Sequence, residues 1–192
     1  MNPTRILVFA GSIRSGAWSE KLAAAATKEI SLADTEVTHI SLGDYPLPLY
    51  DGDLQENKGI PENATRLARQ IAAHHGVFIA TPEYNHSLPP LLKNALDWVS
   101  RIQHSGSLPY RHKVFGLGSS SDTRFGGARA LVDLRKILVP ALGAIVIPSR
   151  VEIPYAQNAF DESGHLIDED RADMLRIVAR QLVEFSRRMA ND

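Results

Sequence analysis

Apolar runs and amphipathic stretches alternate along this chain. Arg5–Ala10 (RILVFA) is a continuous apolar run ending at Gly11, the pattern of a strand buried on both faces. Ser19 to Ile30 is alanine-rich and sets Leu22, Ala26 and Ile30 on one face, which predicts a helix. Glu36–Ser41 (EVTHIS) alternates and reads as a more exposed strand. Leu42–Pro61 is a long proline-containing connection, with Pro46-Leu47-Pro48 extended. Glu62 to Ala73 predicts a second helix, Val77–Thr81 a third strand and Leu91–Ile102 a third helix. Lys113–Ser119 (KVFGLGS) predicts a fourth strand, whose glycines imply close packing or a nearby ligand. Gly127–Leu142 reads as helix, with Pro140 ending or kinking it. Ala144–Ile147 predicts a fifth strand. Asp170 to Ala190 is an amphipathic helix with Leu175, Val178, Leu182 and Phe185 facing inward.

Five strands alternating with helices predict an α/β three-layer sandwich: a parallel sheet covered on both sides. Right-handed crossovers leave few topologies. The flavodoxin-like strand order 2-1-3-4-5 suits 192 residues best, as a single domain over 1–192. Its switch point lies between the first and third strands, so ligand is expected at the loops that follow them.

Composition narrows the chemistry. Hydrophobic residues are 44% and charged residues 22% of the chain, the ordinary globular range. A net charge of −1 gives no electrostatic reason to expect nucleic acid or an anionic membrane as partner. The chain has no cysteine, which excludes disulfides, thiolate catalysis and iron–sulfur ligation and fits a reducing cytoplasm. Residues 1–10 lack a signal-peptide pattern, and no apolar stretch is long enough to span a bilayer.

Three loops at strand ends hold the candidate chemistry. The first, Gly11-Ser12-Ile13-Arg14-Ser15-Gly16-Ala17-Trp18-Ser19, joins a strand to a helix. Its glycines expose backbone N–H groups, Ser12, Ser15 and Ser19 add hydroxyls, and Arg14 adds a charged fork. With the helix N-terminus, this suits a terminal phosphate. It matches neither the GxGxxG fingerprint nor the GxxxxGK[ST] P-loop. A plain helix entry with Ser19 as N-cap gives the same residues. The second loop, Pro82-Glu83-Tyr84-Asn85-His86-Ser87, offers Tyr84 and His86 as flat stacking surfaces and Asn85 as an amide for a heterocycle edge. A structural turn with Ser87 as helix cap explains Ser87 and the prolines but not two exposed rings. The third, Ser119 to Gly127, offers serines to edge a ring and Gly126-Gly127 for close backbone approach. It reads equally well as a flexible surface loop.

GSIRSGAWS, TPEYNHSLPPLLKNALDWVSR and SSSDTRFGGARALVDLRKIL, in that order, resemble the NADPH-dependent FMN reductase family. The resemblance spans roughly the whole chain, and the PEYN loop with LKNALDW is its most specific part. It implies FMN as cofactor and NADPH or NADH as electron donor. It places Gly11, Ser12, Arg14, Ala17, Trp18 and Ser19 around the FMN phosphate. Pro82, Glu83, Tyr84, Asn85 and His86 then run along the isoalloxazine, with Ser119 and Ser120 near its other edge. The implied activity is ping-pong hydride transfer to quinones, free flavin, azo compounds or chromate, with no catalytic side chain, since flavin carries the chemistry. The implied assembly is a homodimer or homotetramer in the cytoplasm, formed near the Leu91–Arg101 helix. The family often has a hydroxyl where this chain has Ala17, asparagine for Ser19 and Pro-Gly for Pro89-Pro90. A pure electron-transfer flavodoxin, without direct NAD(P)H oxidation, is the rival reading.

Other clusters point to structure rather than chemistry. The chain has seven histidines but no HxxxH or HExxH spacing, so no metal site is expected. His74-His75 would sit protonated at a helix end, favoured by the macrodipole, and His104 and His112 flank a loop. No GxSxG elbow supports a serine hydrolase. Asp168-Glu169-Asp170 reads as charge at a helix N-terminus, and Arg187-Arg188 as a solvated helix end.

Overall fold

The computed structural model describes residues 3–103 and 106–190. Its strands are β1 (Thr4–Ala10), β2 (Thr35–Ile40), β3 (Gly76–Pro82), β4 (Val114–Ser120) and β5 (Ile145–Ile153). They pair in parallel in the order β2-β1-β3-β4-β5. The helices are α1 (Trp18–Ser31), α2 (Gly52–Lys58), α3 (Glu62–Ala73), α4 (Pro90–Val99), α5 (Ala128–Lys136) and α6 (Glu169–Ala190). This is the flavodoxin-like three-layer sandwich that the alternation predicts.

Side-chain alternation divides the core into two layers. Ile6, Val8 and Ala10 point to the side of Leu22, Ala26, Phe78, Val178 and Leu182, under α1 and α6. Leu7 and Phe9 point to the side of Leu67, Ile71, Leu92, Leu96 and Leu131, under α3, α4 and α5. The strand glycines serve this packing. A Cβ on Gly118 would lie 2.9 Å from Phe78, 3.0 Å from Leu22 and 3.1 Å from Val151. The apolar face of α4, with Leu92, Leu96, Trp98 and Val99, is likewise buried in the chain's own core.

Several elements differ from the sequence reading. The 42–61 connection contains α2, started by Asp51, whose carboxylate accepts from the amides of Asp53 and Leu54. α2 buries no residue, so it carries no amphipathic signal. α5 stops at Lys136 and gives way to a π-helical turn, Ile137–Ala141, which accommodates Pro140. β5 runs through Pro148 to Ile153. Its pairing with β4 shifts between Phe115 and Leu117, and an edge strand with such an irregularity tolerates proline.

His74 and His75 are not the protonated pair expected. Burial lowers both pKa values, as do the nearby charges of Arg5 and Lys113. Arg5 Nε and Lys113 Nζ instead donate to the α3 C-terminal carbonyls of Ala72, Ala73 and His74. Arg187 is more than a solvated helix end. It donates to the carbonyls of Ala33 and Asp34, tying α6 to the α1–β2 link. Asp168 does cap α6, accepting from the Arg171 amide. His104 lies outside the described residues.

Candidate active site

The parallel register sets the ends of β1, β3 and β4 side by side: Ala10 pairs with Ala80, Thr81 with Ser119 and Pro82 with Ser120. Their three following loops meet over a cleft of about 190 Å³. It is lined by Ser12, Arg14, Ala17, Trp18 and Ser19 from the first loop. Pro82, Glu83 and Tyr84 line it from the second, and Ser120, Ser121 and Asp122 from the third. Ser121 and Asp122 were not singled out from sequence, although they belong to the same serine-rich loop.

The first loop leaves several hydrogen-bond donors at the start of α1 without partners among the described residues. Ala17 is the N-cap of α1 and has no side chain to accept a hydrogen bond. The first-turn amides of Trp18 and Ser19 therefore find no acceptor in their own helix. Ser12 Oγ accepts from the Arg14 amide at 3.2 Å and keeps its own proton free to donate. The Arg14 guanidinium lies over the Trp18 ring, 5.7 Å from its centroid. Ser19 lies inside the first turn, not at the cap. Its hydroxyl is buried without a hydrogen-bond partner among the described residues, and so is that of Ser120 on the other side of the cleft. A buried, unpaired hydroxyl is unfavourable unless something else binds it.

The second loop is a tight hairpin. The Tyr84 amide donates to the Ser87 carbonyl and the Ser87 amide to the Tyr84 carbonyl, both at 3.0 Å. Asn85 and His86 between them have φ of 49° and 67°, the signature of a type I′ turn. Tyr84, at 45% exposure, presents its ring to solvent. Ser87 caps no helix; its hydroxyl donates to the Asp133 carboxylate on α5 at 2.5 Å. Glu83 turns its carboxylate away from solvent onto the start of α5, accepting from the amides of Arg129 at 3.0 Å and Ala130 at 3.2 Å.

Gly11, Asn85, His86 and Ser119 do not line the cleft. A Cβ on Gly11 would meet Leu92 at 3.1 Å and Thr81 at 3.2 Å, so its glycine serves packing. Ser119 is fully buried and donates to the Gly126 carbonyl at 2.7 Å. Asn85 and His86 form the exposed hairpin tip. Gly126 and Gly127 have φ of 59° and 87° and approach the β5 exit and Ser119, not open space. Among the described residues no group of three or more His, Asp or Glu side chains could hold a metal ion.

Residues 4–158 match the sequence profile described as NADPH-dependent FMN reductase. The chain belongs to this family. Similar sequences include a protein named quinone reductase from Escherichia coli K12, 35% identical over 187 residues, 96% of each chain. An NAD(P)H-dependent FMN reductase of Pseudomonas aeruginosa is also 35% identical, with 96% of each chain covered. Among solved structures, the flavoenzyme NAD(P)H:(acceptor) oxidoreductase FerB of Paracoccus denitrificans superposes with a TM-score of 0.77 at 27% identity. The match covers 96% of this chain and 98% of FerB. All three site loops lie wholly inside the matched residues.

Proposed function

We propose that this protein is an FMN-dependent NAD(P)H oxidoreductase whose main acceptors are quinones. The observation that carries the reading is the pair of buried, unpartnered hydroxyls of Ser19 and Ser120 on opposite sides of the cleft. They fit a ligand bearing polar groups along its length, as FMN does. Two relatives support the acceptor class: the Escherichia coli protein, and a Burkholderia protein named 2-hydroxy-1,4-benzoquinone reductase, 31% identical over 178 residues.

When bound, FMN supplies the two-electron chemistry, from NAD(P)H to a quinone, free flavin, azo compound or chromate in ping-pong order. The protein's part is to hold and orient. Ser12, Ser19, Arg14 and the open amides of Trp18 and Ser19 would hold the phosphate, with Gly11 and Ala17 shaping the loop. Pro82, Tyr84, Asn85 and His86 would lie along the ring, with Ser120 at its other edge and Ser119 behind it. The hairpin bonds use only the Tyr84 and Ser87 amides. The Asn85 and His86 amides, unused by the hairpin, would be free to donate to the bound ring. No side chain here is a nucleophile.

The cleft of about 190 Å³ is smaller than ordinary small-molecule pockets of ~300–1,000 Å³. The ring would therefore lie on an open rim beside Tyr84 and Ile13, which is 58% exposed. The proposed assembly is a homodimer in which a second copy covers that rim, with a homotetramer as the larger alternative. No helix among the described residues is long and apolar enough to cross a membrane. A cytoplasmic location is part of the proposal, since NAD(P)H is the proposed electron donor.

The test is anaerobic mixing of FMN-reconstituted protein with NADPH, then NADH. Bleaching of the flavin bands followed by recovery on adding benzoquinone is expected. A flavodoxin would stay yellow until a separate reductase is added. Protein that remains colourless and inactive with excess FMN would sink the proposal.

A further inference from the structure

We infer that Glu83 acts as a positioning residue, holding the Tyr84–Ser87 hairpin in its flavin-receiving shape by anchoring it to the start of α5. This rests on the FMN reading above. Three observations carry it.

First, α5 has no cap of its own. Its N-cap is Gly127 in a left-handed conformation, with no side chain to accept from the first-turn amides. A helix normally satisfies its second and third amides through an N-cap side chain. Here Arg129 and Ala130, at those two positions, donate to the Glu83 carboxylate from 46 and 47 residues away. A negative group there is also favoured by the helix dipole. The Glu83 side chain is only 5% exposed.

Second, the hairpin beside it is costly to hold. Asn85 at 49° and His86 at 67° both hold the left-handed conformation without a glycine, which costs backbone energy. A type I′ turn prefers glycine at that second position. The surrounding structure must hold such a residue in place.

Third, the hairpin is fastened at both ends to the same helix. Glu83, just before it, binds Arg129 and Ala130. Ser87, its last residue, donates to Asp133 one turn further along α5. Both side chains are thus anchored to α5, where the Glu83 carboxylate meets the Arg129 and Ala130 amides and the Arg129 guanidinium. Its effect on the flavin then runs through the backbone it fixes.

Two measurements test this. Hydrogen exchange on the FMN-free protein reads the hairpin directly, through the Tyr84 and Ser87 amides. In Glu83→Ala both should exchange about tenfold faster, the scale of one lost charge-assisted hydrogen bond. FMN affinity, read by fluorescence quenching, should fall about tenfold or more in the same variant. Against a His86→Gly background, where glycine favours the turn unaided, the same substitution should cost less than about threefold.

An equal loss in both backgrounds would assign Glu83 a direct contact and overturn the inference. Unchanged exchange and affinity in Glu83→Ala would overturn it too. Faster exchange in a protein that never binds FMN would uphold the positioning role while removing the FMN reading. If Glu83→Ala does not fold, Ser87→Ala loosens the other end and should give the same exchange change and the same relief by glycine at 86. No change in that variant would also overturn the inference.

Discussion

Ser19 and Ser120 have hydroxyls withdrawn from water with no hydrogen-bond partner among the described residues. In the FMN-free protein such a group costs stability, and in the complex it becomes a partner. Alanine at either position should therefore separate two quantities that usually move together. We expect Ser19→Ala to weaken FMN binding by about 1 kcal/mol, near fivefold, while the melting temperature without FMN stays level or rises. Calorimetry on the two forms checks it; a fall in both would show that the hydroxyl has a protein partner. The histidines of the α3 end give a second residue-scale prediction. The His75 Nδ1 accepts the Arg5 amide at 2.9 Å, which requires a neutral ring. The folded-state pKa values of His74 and His75 lie below the ordinary 6.5. Below that value the unfolded chain takes up protons that the folded chain resists. Stability should hold above about pH 6.5 and fall as the pH drops through the window below it. Urea midpoints across that range should fall less for His75→Asn, whose amide oxygen accepts the same bond and does not titrate. The sequence set these two histidines at a helix end but gave no sign that Arg5 and Lys113 already supply its positive charge.

At the scale of elements, the central strands close so tightly on the helices that side chains are missing where they cross. Gly118→Ala would put a methyl against Phe78, Leu22 and Val151 at once. The expected cost is about 1–3 kcal/mol of overpacking, seen as a lowered melting temperature. Because Gly118 faces the core and not the cleft, FMN affinity should barely change. The close packing was one of two readings that the strand glycines allowed, and the α1 and α6 contacts decide it. Where burial alternates strongly, the sequence is easy to read: the Glu62–Ala73 helix has the bounds its apolar spacing predicts. Where burial is absent or the backbone is irregular, it is not. α2 buries nothing, and β5 carries Pro148 and Arg150 through an irregular edge. The site shows the same division. Its three loops are legible because they follow apolar strands, and the parallel register then brings them together. The commitment of Glu83 and Ser87 to α5 is not legible, because no local pattern marks a bond across 46 residues.

The whole molecule should respond to FMN as one body. Ligand that binds only the folded form stabilises it by about 2.7 kcal/mol at a hundred times its Kd. A melting temperature that climbs steadily with FMN concentration is expected, and one that ignores FMN would contradict the proposed cofactor. Sedimentation at micromolar concentration should give a dimer or tetramer. A monomer would leave the flavin rim uncovered and count against the proposed assembly. The bond from Glu83 to α5 matters beyond its own strength. It makes the loop after β3 and the helix after β4 a single structural unit, although the chain writes them as separate segments. An engineer who wished to broaden the acceptor range by transplanting the PEYN loop from a relative would be moving half of a matched pair. Such chimeras should work when both segments come from one parent and lose their flavin when the parents differ.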